Sequence, residues 1–176
     1  MYRIFIVTIL VLLVACTVSA TVVTLPNETQ TTTFTANVSP QANFSVPAGV
    51  TFNVTNVSAD TNSAAQTVSA TNVVMIAGAS MMIYLKADAA NFTAATGGTV
   101  TWAASDVTWN AATWTNVDTS YSGTLSSSSY NELVMTNTNI SSTTTSNLVF
   151  TLGDKASVDR AGNHTLVCTW KIWGDT

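Results

Sequence analysis

The stretch HTLVCTWKIW, residues 164–173, decides the fold. Leu166, Cys168, Trp170 and Ile172 recur every second residue, so a pleated strand gathers all four on one face, whereas a helix would scatter them around its circumference. The run follows Asp159-Arg160-Ala161-Gly162, a turn-forming cluster that gives the strand a defined start. Read this way, Cys168 is a small buried hydrophobe among larger ones.

The same pattern recurs upstream. After the turn residues Pro47-Ala48-Gly49, Val50, Phe52 and Val54 alternate with Thr51, Asn53 and Thr55. Further strands are expected at 31–38, 67–76, 81–86, 99–103, 133–136 and 147–152, with a short helix or turn at 88–95. No internal repeat points to a solenoid or propeller. Ser- and Thr-rich patches at 31–33, 126–129 and 141–146 read as edges or loops. Short alternating runs with turn signals every ten residues or so predict an all-β chain. The expectation is a single β-sandwich, jelly-roll or immunoglobulin-like, of about eight to ten strands after an N-terminal signal helix.

Composition agrees. Hydrophobic residues make up 47% of the 176 residues and charged residues only 8%, against about 25% charged in an ordinary soluble domain. Thr, Ser and Asn supply the polar surface instead, and β-branched or hydroxyl side chains suit half-exposed strands better than helices. The formal charge is −4. Beyond Arg3, the basic residues are Lys86, Lys155, Arg160 and Lys171, mostly scattered, against nine acidic ones. Nucleic-acid binding is excluded, because it needs clustered Lys and Arg.

The chain begins MYRIFIVTILVLLVACTVSA: a basic residue, an apolar run from Ile4 to Ala15, and small residues ending Val18-Ser19-Ala20. These are the parts of an export signal, and the apolar run is too short to span a bilayer comfortably. The expected division is 1–20 as signal, 21–38 as an N-terminal strand segment, and 39–176 as the sandwich, in a secreted protein with no membrane span in the mature chain. Leu13-Val14-Ala15-Cys16 also fits a lipidation site at Cys16, which cleavage after Ala20 would remove; the small-residue site after Ala20 is the better formed. Either way Cys168 has no intramolecular cysteine partner.

Little in the chain points to catalysis. His164 is the only histidine, no G-x-S-x-G elbow is present, and no His, Cys or carboxylate spacing suits zinc. His164 is expected to be structural or solvated, with no enzyme activity and no cofactor. Asp154 and Asp159 flank a loop expected to be a solvated turn, with one of them paired to Lys155 or Arg160.

Asn-x-Ser/Thr sequons at Asn27, Asn43, Asn53, Asn56, Asn91, Asn139 and Asn163 are glycosylation candidates, although so Ser-, Thr- and Asn-rich a chain supplies some by composition alone. Asn37 is the poorest acceptor because Pro40 follows its sequon. Trp102, Trp109 and Trp114 lie close together in TWAASDVTWNAATW. Trp109 and Trp114 could stack on cell-surface glycans if exposed, and would otherwise build the core.

From Trp114 through Gly123-Thr124-Leu125 to Ala161-Gly162-Asn163-His164 and onward to Ile172, the C-terminal third resembles the closing strands of secreted prokaryotic β-sandwich surface proteins. Part of it is similar to WxL-type cell-wall domains, with His164 standing at that family's Tyr position and Ile172 at its Leu position. The layout as a whole resembles archaeal and bacterial surface-filament or pilus subunits assembled by donor-strand exchange. That resemblance implies a structural subunit that self-associates into a homopolymer, with a role in adhesion or biofilm. Val22, Val23, Leu25, Phe34 and Val38 would be the donor residues entering a neighbour's groove. The alternative expectation is a secreted carbohydrate- or cell-wall-binding module, held by a lipid on Cys16.

Overall fold

The computed structural model describes residues 29, 31–136 and 140–174. The expected signal at 1–20, the donor residues Val22, Val23 and Leu25, and the sequons at Asn27 and Asn139 lie outside the described residues. The chain divides into two compact units, Met1–Asn37 and Val38–Thr176. In the first, residues 31–37 are exposed and lie in no strand, and Phe34 is 93% exposed. The strand expected at 31–38 is therefore not formed there.

The second unit is all-β. Its elements are β1 (Gln41–Ser45), β2 (Thr61–Asn62), β3 (Gln66–Val74), β4 (Met81–Ala87), β5 (Val107–Trp109), β6 (Thr119–Ser120), β7 (Gly123–Thr124), β8 (Asn131–Thr136), β9 (Ser142–Leu148), β10 (Phe150–Leu152) and β11 (Cys168–Gly174). A single 3₁₀ turn, Ala104–Asp106, precedes β5. No helix forms at 88–95, where Asn91 instead bridges Ala103 and Thr93 bridges Thr165. Among the described residues, no helix is long and apolar enough to cross a membrane.

Three antiparallel sheets run in the orders β1-β3-β9, β2-β10-β5-β7 and β11-β4-β8-β6. The first two share a pair of interrupted strands. β2 leads into β3 after Ser63, Ala64 and Ala65, opposite the point where β9 leads into β10 through Val149. Ser63 holds this joint, donating its N–H to the Phe150 carbonyl at 2.8 Å and accepting from the Phe150 N–H through Oγ at 3.1 Å. Interruptions of this kind help bring the described residues to eleven strands, against the eight to ten expected.

The core is one cluster joining the sheets. Met81, Ile83, Leu85 and Ala87 of β4 point inward and are at most 3% exposed, alternating with Met82, Tyr84 and Lys86 outside. Period-two burial of this kind is what fixes a strand's register. Trp102, Trp109 and Trp114 are buried with them. Their indole N–H groups find acceptors where the core meets backbone: Trp102 Nε1 donates to the Gly153 carbonyl at 2.9 Å, and Trp109 Nε1 to that of Tyr121 at 3.2 Å. The Trp109 ring lies flat over Gly123, whose missing side chain makes room for it.

Candidate functional site

Residues 46–55 carry the alternation expected of a strand without joining a sheet. Val50, Phe52 and Val54 are half-buried against the core while Thr51, Asn53 and Thr55 are exposed. No ladder or backbone hydrogen bond ties this stretch to another described segment. An extended segment with one covered apolar face and no backbone partner among the described residues offers an edge to a further strand.

A second such edge is β11. It pairs with β4 along Cys168–Gly174 and ends the sheet on its other side. Ahead of it, Thr93 and Thr165 exchange backbone hydrogen bonds at 2.7 and 3.1 Å, and Asp88 N–H donates to the Val167 carbonyl at 2.9 Å, so residues 165–167 are held from one side only.

Both edges line one cavity of about 1180 Å³, which takes in residues 47–55 and 158–168 together with Val57 and Trp170. Its floor is core, Leu85, Trp102, Val107, Leu125, Phe150 and Leu152, with the half-buried Phe92 beside them. Phe52, Val54, Leu166, Cys168 and Trp170 all reach it only half-buried. Burial and then the nearby Asp88 push the Cys168 thiol up to about 11, which keeps it protonated and makes it part of the apolar wall.

Polar clamps hold the lips in place. Asp159 accepts from the Thr99 hydroxyl at 2.7 Å and from the Thr99 and Val100 N–H groups at 3.0 and 3.1 Å. These bonds, the Thr99 side chain first, lower its carboxyl to about 2. His164 sits between Thr101 Oγ1, 2.8 Å from Nδ1, and the Arg160 carbonyl, 2.9 Å from Nε2. The carbonyl accepts only, so in the neutral ring Nε2 carries the proton and Nδ1 accepts from the hydroxyl. Its ring also meets Trp102 edge to face at 5.3 Å.

The expected pairing of Asp154 or Asp159 with Lys155 or Arg160 does not form. Asp159 is saturated by Thr99 and Val100, Arg160 donates to the Gly97 carbonyl at 3.2 Å, and Lys155 reaches back to Asp106 at 3.0 Å. The expectation of glycan stacking at Trp109 and Trp114 is also corrected. At 3% and 7% exposure these rings fill the core and offer no face to a ligand. Asn37, Asn43, Asn53, Asn56, Asn91 and Asn163 are all exposed; Asn53 points away from the core, opposite Phe52 and Val54. Of the donor residues, Phe34 and Val38 are exposed, Val38 at 68%. The resemblance implies a groove without saying which residues line it; the alternation at 50–54 names one wall of this cavity, and the wall at 158–168 is brought to it by the fold. No family model matches the chain, and no curated protein matches it.

Proposed function

We propose that the protein is a secreted structural subunit of a cell-surface filament, pilus or coat, which polymerises by strand complementation and acts without catalysis. What carries the reading is the cavity lined by a stretch with no strand partner among the described residues, 47–55, and by an edge held from one side, 165–168, over a floor of core side chains. A strand laid there would hydrogen-bond to both edges and cover Phe52, Val54, Leu166 and Trp170. These side chains are already half-buried, so covering the rest of each contributes up to about 1 kcal/mol. The segment 21–38 of a neighbour suits the place, because its sequence is rich in β-branched Thr and Val, is apolar at Val22, Val23, Leu25, Phe34 and Val38, and carries no charge but Glu28. Exchange between identical chains in a head-to-tail sense builds an open filament.

The test uses the chain from Thr21 onward, concentrated and followed by electron microscopy and by SDS-resistant ladders. Polymers are expected. Deleting 21–38 should give a monomer that binds a synthetic 21–38 peptide and melts at a higher temperature when it does. Leu166→Asp in that truncated chain should abolish peptide binding. A mature chain that stays monomeric at high concentration, together with a truncated chain indifferent to the peptide, overturns the proposal.

A further inference from the structure

The outer face of the sheet β11-β4-β8 gathers residues that the filament reading does not use. The register places Lys171 beside Tyr84 and Trp173 beside Met82, and Tyr84 beside Glu132. Two of the chain's few cations therefore meet aromatic rings. Lys171 Nζ lies 4.3 Å from the Trp173 ring centre and 5.5 Å from that of Tyr130. Lys86 Nζ lies 5.3 Å from the same Tyr130 ring. Trp173 and Tyr130 are 46% and 39% exposed.

Two features of this face call for a ligand. Like charges gathered at one ring repel, and among the described residues no carboxylate lies within ion-pair distance of either Lys86 or Lys171. An anionic group bound between them relieves that repulsion. Glu132 Oε1 is buried without a hydrogen-bond partner, so it calls for a donor, and burial raises its carboxyl above the usual range.

The middle of a sheet face offers no backbone N–H or C=O, because β4 spends its own on β11 and β8. An extended peptide, recognised chiefly through its main chain, would add at the β11 edge and not across this face. A saccharide is recognised through side chains alone: ring C–H faces lie on Trp173 and Tyr130, hydroxyls donate to Glu132, and an acidic substituent meets the two ammonium groups. From β11 to β8 the face spans about 10 Å, two strand spacings, enough for consecutive sugar units.

We propose that this face, built on Trp173, Lys171, Lys86, Tyr130 and Glu132, binds an acidic polysaccharide of the uronic-acid class. Adhesion would then have a ligand site of its own, separate from the groove that joins subunits. The site does not depend on the filament reading and can be tested on monomer.

The probe is polygalacturonate in affinity electrophoresis of the monomeric chain lacking 21–38, with neutral dextran and poly-glutamate in parallel gels. Polygalacturonate should retard the protein, and Trp173→Ala and Lys171→Met should each weaken that retardation about tenfold. Lys155→Met removes the same charge elsewhere and should change nothing. Circular dichroism confirms that each variant is folded. The proposal is overturned by absent retardation, by equal retardation in dextran or poly-glutamate, or by Lys155→Met weakening binding as much as Lys171→Met.

Discussion

Phe150 of β10 and Trp170 of β11 meet edge to face, their ring centres 6.4 Å apart and their planes at 82°. This contact joins two sheets at the floor of the groove, and Phe150 also packs edge to face on Trp109 at 6.4 Å. Phe150→Ala empties a site that is 3% exposed and touches rings from both sides. It should cost about 3–5 kcal/mol. Urea unfolding followed by circular dichroism measures it, and a cost under about 1 kcal/mol would show that the two sheets do not depend on this contact.

The Asp159 clamp predicts a pH dependence with a definite sign. Its carboxyl titrates at about 2 in the folded chain, below the ordinary 3.8, chiefly because the Thr99 hydroxyl and the Thr99 and Val100 N–H groups bond to the charged form. A depressed folded value means that the contribution is complete above the unfolded value and is lost as pH falls from near 4 toward 2. Asp159→Asn should lower the melting temperature at pH 6 and narrow the gap to wild type at pH 2. The carboxylate is fully exposed to solvent, so the effect will be small. Melting curves across pH 2–6 for both chains decide it; a gap independent of pH refutes the clamp.

Gly123 should not tolerate a side chain. A Cβ there would come within 2.8 Å of Trp109 Cε2 and 2.9 Å of Cη2, and Trp109 is boxed in by Phe150. Gly123→Ala should cost about 1–3 kcal/mol through overpacking. In a Trp109→Leu background the same change should cost clearly less, because the ring it strikes is gone. Equal costs in the two backgrounds would place the strain elsewhere.

Lys155 and Asp106 separate two kinds of polar contact. Their side chains are 29% and 28% exposed, so the ion pair itself is worth little, and Lys155→Met should change stability by less than about 1 kcal/mol. Asp106 does more, since its Oδ2 also accepts the Ala103 N–H at 2.8 Å and so fixes the turn into β5. Asp106→Ala strands that donor and should cost about 1–3 kcal/mol. Thermal melts of the two single variants show whether the asymmetry holds.

Alternation made the strands legible wherever one face is covered: 81–86 falls within β4, whose alternate side chains are buried, while 164–173 contains β11, which begins only at Cys168 and whose inward side chains are half-buried. The same rule, applied to Val107-Thr108-Trp109 and Ala112-Thr113-Trp114, places both indoles inward with their apolar neighbours, a signal that could have removed them as stacking candidates. What alternation does not encode is a partner. Residues 50–54 have a strand's pattern and a half-buried apolar face, yet they pair with no other described segment. The Lys171, Tyr84 and Glu132 row was invisible for the same reason, because only the register across three strands brings those residues together.

Cys168 gives a direct reading of the groove. It lines the cavity, and its thiol titrates at about 11 rather than the ordinary 9.0. Two pH units correspond to about 100-fold less thiolate at neutral pH, and the thiolate is the reactive form. Monomeric chain from Thr21 onward, in which Cys168 is the one cysteine, should therefore react with iodoacetamide far more slowly than a free cysteine, and should gain rate as pH rises toward 11. A strand laid along β11 covers this wall, so polymer, or truncated chain saturated with the 21–38 peptide, should be protected further at every pH. Mass spectrometry of alkylated protein over time measures both effects. If monomer and polymer are labelled at the same rate, Cys168 stays open after assembly, and the joint between subunits is not made in this groove.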